Sequence, residues 1–170
     1  MKMPLIILTL ILLFQAQPAS STTIAWDGRY LVADSQVTEY TIDKDGKETQ
    51  TRKIFNYLKI HYVRGYLVAG AGNTTDIDKF LRWLRDPSGK TPYPFKGHFS
   101  AVVISKAGTY IYVGNSLHPF KAEPPVVLGS GGEVAMEVME FGGSALEGVK
   151  AAEVKDEHTG GPIMMVKVNQ

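Results

Sequence analysis

Short segments rich in β-branched and aromatic residues recur along the chain, in pairs separated by only two or three turn residues. Asp27-Gly28, Arg64-Gly65 and Lys106-Ala107-Gly108 each stand between two such segments. A turn this short reverses the chain and joins antiparallel strands, whereas parallel strands need a long crossover. The sequence therefore predicts antiparallel sheets over most of its length.

Helical patterns interrupt the strands at two places. Apolar residues recur at helical spacing in "TDIDKFLRWLRD", which stops before Pro87. Two short helices follow later, "EVAMEVMEF" and a segment that starts at Ser144, whose spacing to Glu147 is that of a capping box. A final strand, "PIMMVKV", closes the order. This order predicts an α+β fold, and a four-layer αββα sandwich, with helices outside two sheets, would satisfy it.

The first 21 residues differ from the rest, so the chain is predicted to consist of a leader, residues 1–21, and one domain, residues 22–170. Lys2 precedes the apolar run "PLIILTLILLF", which as a helix spans about 16 Å, half of what a membrane span needs. The run is typical of a secretory signal peptide, and a cut after Ser21 would liberate Thr22. A propeptide or an overextended gene start is the alternative.

Composition excludes several classes of function. Acidic and basic residues balance beyond the leader, so no basic surface for nucleic acid is expected. The chain has no cysteine, which excludes disulfides, thiol nucleophiles and thiolate metal sites. The histidines lack the spacing of metal ligands. We therefore expect no cofactor, no metal, no nucleic-acid partner and no stable membrane span.

Six fragments of residues 22–170 occur in an order that points to one family. They are "TTIAWDG", "LVADSQVT", "TRKIF", "AGAGNTTD", "LGSGG" and "DEHTGG". Together they resemble proteasome β-subunits and the bacterial HslV protease, and the compact form resembles proteasome-like proteins of phages and bacteria. The resemblance implies an N-terminal-nucleophile hydrolase with an αββα sandwich fold.

The resemblance also implies roles for particular residues. Thr22 would be the nucleophile, Asp34 its first acidic partner and Lys53 the active-site lysine. The Gly72 amide would form the oxyanion hole. Ser130 would be a supporting serine, and Asp156 and Thr159 would fill the remaining polar positions.

The chemistry favours these residue types. A threonine hydroxyl needs a base, and an α-amine, whose pKa is about 7.7–8.0, is far more often neutral at pH 7 than a lysine amine. Removal of the leader would therefore activate Thr22, and Lys53 would act as a cation that Asp34 holds in place. The first hairpin is predicted to put Thr22 opposite Asp34 if its loop has three residues, or opposite Ala33 if it has two.

The leading hypothesis is a threonine peptidase that cleaves peptide or unfolded protein substrates inside a homo-oligomeric ring. An ATPase unfoldase is a possible partner if the protein is cytoplasmic, as the family implies, whereas a true signal peptide would direct it to export. A catalytically silent assembly or binding subunit and an amidase for small amides are the alternatives. Individually, Asp34 and Lys53 could be a structural ion pair, the glycines could serve turns, and Ser130 could cap the next helix.

Overall fold

The computed structural model describes residues 22–42, 44–89, 96–116 and 118–168. These residues form eleven strands and three helices, in the chain order β1 (Thr23–Trp26), β2 (Tyr30–Ala33), β3 (Val37–Ile42), β4 (Glu48–Ile54), β5 (Ile60–Val63), β6 (Tyr66–Gly72), α1 (Thr74–Arg85), β7 (Phe99–Ser105), β8 (Gly108–Val113), β9 (Phe120–Ala122), β10 (Val126–Gly129), α2 (Gly132–Glu140), α3 (Ala145–Lys155) and β11 (Met164–Lys167). The predicted leader, residues 1–21, lies outside the described residues.

A four-stranded antiparallel sheet has the order β10-β1-β2-β11. The β1–β2 hairpin is closed by Asp27 and Tyr30, whose N–H···O distance is 3.3 Å, so its loop is Gly28-Arg29. Because Ile24 pairs with Ala33, Thr23 lies opposite Asp34 and Thr22 is one position further out. Both predicted registers, which put Thr22 opposite Asp34 or Ala33, are therefore wrong.

A five-stranded antiparallel sheet has the order β5-β6-β7-β8-β9. Its first hairpin turns at Arg64 and Gly65, as predicted, and both residues have positive φ. This is the type I′ geometry, in which Val63 and Tyr66 form the closing hydrogen-bonded pair. The predicted hairpin after Ser105 is also present. The remaining strands, β3 and β4, form a separate two-stranded sheet with a register shift after Glu39.

Side-chain caps mark the starts of α1 and α3. The Asn73 side chain accepts hydrogen bonds from the N–H groups of Thr75 and Asp76 at the start of α1. The predicted capping box of Ser144 and Glu147 is present at the start of α3. The first residue before α2 is Gly131, with no side-chain cap, so the alternative role of Ser130 as a helix cap is wrong.

Three apolar clusters hold these elements together. The central cluster joins the four-stranded and five-stranded sheets, with Ile24 and Leu31 on one side and Ala71 and Val102 on the other. A second cluster packs α1 against the five-stranded sheet around Phe80. A third packs α2 and α3 against the opposite face of the four-stranded sheet. The predicted α+β fold with antiparallel sheets is confirmed.

Within the described residues, no helix is both long and apolar enough to cross a membrane.

The helical segment that the sequence predicts over residues 75–86 is observed, beginning one residue earlier and ending at Arg85.

Candidate active site

The start of β1 is held from both sides. Thr23 donates its N–H to Asp34 Oδ1 at 2.7 Å, and its carbonyl accepts from the Asp34 N–H at 3.1 Å. On the other side Thr23 pairs with Gly129, where any Cβ would overlap the Thr22 carbonyl. Thr22 and Thr23 are both buried. The residue that follows the predicted nucleophile is thus fixed between two strands, and Thr22 itself lies just before the start of β1.

Asp34 is a buried carboxylate that accepts hydrogen bonds from three separate segments. Besides Thr23, its donors are the backbone N–H groups of Gln36, at 3.0 Å, and Gly160, at 3.1 Å. Lys59 Nζ lies 2.8 Å from Asp34 Oδ1, and the two side chains are only 2% and 1% exposed. A buried carboxylate needs this degree of compensation, because its desolvation costs several kcal/mol.

The cation beside Asp34 is therefore Lys59 and not Lys53, which corrects the sequence-based prediction. The chain that follows β4 folds back onto Ser35, where the Ser35 carbonyl accepts from the Tyr57 N–H at 3.0 Å. The Ser35 hydroxyl lies 3.3 Å from the Asn56 N–H. These bonds bring the start of β5, and with it Lys59, against Asp34.

Lys53 has a different partner because it lies on the two-stranded sheet, opposite Thr38. Its Nζ donates to the Glu157 carbonyl at 2.7 Å, and Gln36 Nε2 donates to the same carbonyl at 3.0 Å. Lys53 thus contacts the segment between Asp156 and Thr159 rather than the Asp34 carboxylate.

Burial and the neighbouring Asp34 carboxylate have opposite effects on the pKa of Lys59. Burial lowers its pKa, and the Coulombic attraction and hydrogen bond of Asp34 oppose that effect, with a smaller contribution from Asp156. The net result is a pKa below the ordinary value of 10.5. Lys59 also donates to the Gln36 carbonyl, so its ammonium group has two acceptors in a buried site.

Ser130, Asp156 and Thr159 come together as predicted. Asp156 Oδ2 accepts from Ser130 Oγ and from Thr159 Oγ1, each at 2.6 Å. Ser130 Oγ also lies 3.4 Å from the Thr22 carbonyl oxygen. Burial raises the pKa of Asp156. The hydrogen bonds from Ser130, Thr159 and the His158 N–H lower this pKa by a larger amount, so the net shift is downward. Asp156 is thus held as a carboxylate close to the Thr22 backbone.

Gly72 ends β6 and follows Ala71, which packs in the same cluster as Ile24. Backbone N–H groups alternate in direction along a strand, and those of Val68, Gly70 and Gly72 face the β5 side. Because β5 begins at Ile60, opposite Ala69, the Gly72 N–H faces the side of β6 beyond the start of β5. Lys59 immediately precedes that start.

Sequence reasoning missed Lys59 and the contact that Thr23 makes. Lys59 was detectable, because counting back from the Arg64-Gly65 turn places it opposite Gly70, two residues from Gly72. Thr23 Oγ1 lies 2.6 Å from Thr159 Oγ1 across 136 residues of sequence, and no local pattern marks that contact.

Outside the candidate site, the described residues form a pocket but no cluster suited to a metal ion. Among the residues that the structure describes, no group of three or more His, Cys, Asp or Glu side chains is arranged to hold a metal ion. A pocket of about 320 Å³ lies by the Arg64-Gly65 turn, lined by Trp83, Tyr66 and Tyr110 among others. It contains none of the predicted site residues.

Comparisons with known proteins found solved structures with a similar fold. No family model and no curated protein matches the sequence. The fold is similar to BPH of Thiobacillus denitrificans in complex with epoxomicin, with a TM-score of 0.54 and 15% identity over 86% of this chain and 97% of that one. A second BPH structure gives 0.53 and 14% over 86% and 96%. At these identities the likeness concerns the fold alone.

Proposed function

We propose that the protein is a threonine-type peptidase with the αββα fold of N-terminal-nucleophile hydrolases, whose nucleophile is Thr22 once the leader is removed. The observation that carries this proposal is the convergence of the buried Asp34–Lys59 pair and the Ser130–Asp156–Thr159 cluster on Thr22 and Thr23, at the start of β1. A buried ion pair beside a clustered carboxylate is typical of a site built to control protonation.

In the proposed reaction the Thr22 hydroxyl oxygen attacks the carbonyl carbon of a peptide bond, and its proton passes to the α-amine of the same residue. This amine exists only after the bond between Ser21 and Thr22 has been cut, because until then the nitrogen belongs to an amide. Lys59 supplies positive charge that favours the ionising hydroxyl, and Asp34 orients it. Asp156, Ser130 and Thr159 orient the amine.

The tetrahedral intermediate places negative charge on the former carbonyl oxygen. The Gly72 N–H is the proposed donor to that oxygen, since it faces the side of β6 beyond the start of β5, which Lys59 immediately precedes. The leaving amine takes the proton back from the Thr22 amine, and an ester on Thr22 remains. Water then hydrolyses that ester and regenerates the hydroxyl.

The test is covalent labelling with epoxomicin, a peptide epoxyketone that reacts with both the hydroxyl and the amine of a terminal threonine. Intact-mass spectrometry should find one adduct on protein that begins at Thr22, and none on protein that still carries residues 1–21. Thr22→Ala is the control and should give no adduct. Absence of labelling on the processed protein, or equal labelling of the control, would contradict the proposal and favour a catalytically silent subunit.

The family resemblance extends the proposal to assembly. We expect the processed protein to form a homo-oligomeric ring that encloses its peptide substrates. Analytical ultracentrifugation of the processed protein measures this directly, and a monomer at micromolar concentration would contradict it.

A further inference from the structure

Thr23 contacts the proposed amine-binding cluster through its side chain. Its Oγ1 lies 2.6 Å from Thr159 Oγ1, and both residues are buried, Thr23 completely. The reaction described above assigns no role to this hydroxyl. Since Thr22 is the proposed nucleophile, a second threonine in hydrogen-bond contact with the same cluster needs its own account.

The hydrogen bond between the two threonines has a defined direction. Thr159 has a single hydroxyl proton, and it donates that proton to the Asp156 carboxylate, which only accepts. Thr159 Oγ1 therefore accepts from Thr23, and Thr23 is the donor. The result is an ordered chain, in which Thr23 donates to Thr159 and Thr159 donates to Asp156.

Gly131 packs against the hydroxyl groups of Thr23 and Thr159. A Cβ on Gly131 would overlap Thr23 Oγ1 and would lie 2.9 Å from Thr159 Oγ1 and 2.8 Å from the Ala152 Cβ. The backbone of Gly131, with φ of −84° and ψ of 7°, is accessible to alanine. The absence of a side chain at this position thus makes room for the two hydroxyl groups and for the Ala152 methyl group, and the backbone conformation does not require it.

We propose that Thr23 is a positioning residue of the candidate site: by donating to Thr159 it commits the Thr159 proton to Asp156, so that this carboxylate keeps a fixed orientation beside the Thr22 backbone. The inference rests on the proposed function for its catalytic consequence, but the hydrogen-bond chain is independent of it. A methyl group in place of the hydroxyl cannot approach an oxygen to 2.6 Å, so Thr159 must move when the donor is lost.

The test compares Thr23→Val, which removes the donor, with Thr23→Ser, which keeps it. On the processed protein, Thr23→Val should lower the rate of epoxomicin labelling by about three- to tenfold, and Thr23→Ser should restore it. His158 and Lys59 also act electrostatically on Asp156 or are acted on by it, and both remain in every variant.

A second measurement separates this inference from the proposed function. Carbon-13 NMR titration of the Asp156 carboxyl in the full chain should show a higher pKa in Thr23→Val than in Thr23→Ser. Gly131→Ala places a methyl group against the Thr23 and Thr159 hydroxyl groups and should raise the Asp156 pKa as well. If the titration shifts but wild-type protein is never labelled, the proposed function fails and the positioning role of the hydrogen-bond chain stands. If Thr23→Val, Thr23→Ser and Gly131→Ala all titrate like the wild type, the inference is overturned.

Discussion

At the scale of single residues, the buried Asp34 carboxylate requires hydrogen-bond donors and a positive charge around it. Its carboxylate is buried and accepts from three backbone N–H groups and one ammonium group. Breaking a buried pair by removing one partner typically costs about 3–5 kcal/mol, because the other charge is left uncompensated. Lys59 is therefore tied to Asp34 both for stability and for the proposed chemistry.

The two lysines should differ sharply when each is replaced by methionine. We expect Lys59→Met to lower the rate of epoxomicin labelling about 100-fold or more, because it removes the buried positive charge that the proposed reaction uses to favour ionisation of the Thr22 hydroxyl. Lys53→Met removes only the contact with the Glu157 carbonyl and should lower the rate by less than about tenfold. Labelling should be measured on variants whose circular dichroism shows them to be folded. A larger loss in Lys53→Met than in Lys59→Met would contradict this assignment.

Sequence reasoning found most of this site and failed where the chain makes an irregular excursion. Ser130, Asp156 and Thr159 were predicted together and meet. The lysine was wrong because residues 55–59 are irregular and their path depends on contacts with Ser35, which lies about 20 positions earlier in the sequence. No local preference encodes such a contact.

At the scale of elements, Asp27 joins the β1–β2 hairpin to α3. Its Oδ1 accepts from the N–H groups of Arg29 and Tyr30, and its Oδ2 accepts from the Ala145 N–H. The first two bonds explain why the turn is Gly28-Arg29: the Asp27 side chain caps the loop instead of belonging to it. Both predicted registers were wrong for this reason, since each counted Asp27 as a loop residue, as the pattern Asp-Gly usually implies.

The stability of the hairpin should depend on pH through Asp27. Burial raises its pKa, but the hydrogen bonds from Ala145, Tyr30 and Arg29 lower it more, to below the ordinary value of 3.8. The unfolded state then binds more protons as the pH falls towards the lowered pKa, so the stabilisation by Asp27 is present above about pH 5 and lost in acid. Asp27→Asn should therefore lower the free energy of unfolding at pH 7 by up to about 1 kcal/mol and flatten its loss below pH 4.

Urea unfolding at pH 3, 4, 5 and 7 measures this effect. Asp45→Asn, on the exposed β3–β4 turn, is the matched control for the loss of one carboxylate. If the free energy of unfolding of Asp27→Asn has the same pH dependence as that of the wild type, the three backbone hydrogen bonds do not lower the pKa of Asp27.

At the scale of the whole molecule, the apolar cluster that packs α1 on the five-stranded sheet is separate from the candidate site. Phe80 is fully buried in the cluster that packs α1 on the five-stranded sheet, and its ring lies 5.3 Å from that of Phe99 and 5.1 Å from that of Tyr112. This cluster and the candidate site share no residue. Ile77, Phe80, Leu81 and Leu84, whose spacing in the sequence predicted the helix, form the buried face of α1 in this cluster.

Phe80→Ala should lower the free energy of unfolding by about 3–5 kcal/mol, because it leaves a cavity among packed rings. Phe141→Ala removes the same ring from a side chain that is 88% exposed and should change it by less than about 0.5 kcal/mol. Urea denaturation of both variants gives the comparison. Equal losses would mean that Phe80 is not part of a packed core.

The position of β1 between β2 and β10 has a consequence for maturation. A strand with a neighbour on each side cannot slide to compensate for a misplaced end, and each residue of strand advances the chain by about 3.3 Å. Under the proposed function, a protease that trims one residue too few or too many would therefore deliver the new amine a full residue away from the position of Thr22. Such molecules would fold normally and still be inert, so the yield of working protein would measure the accuracy of the trimming step.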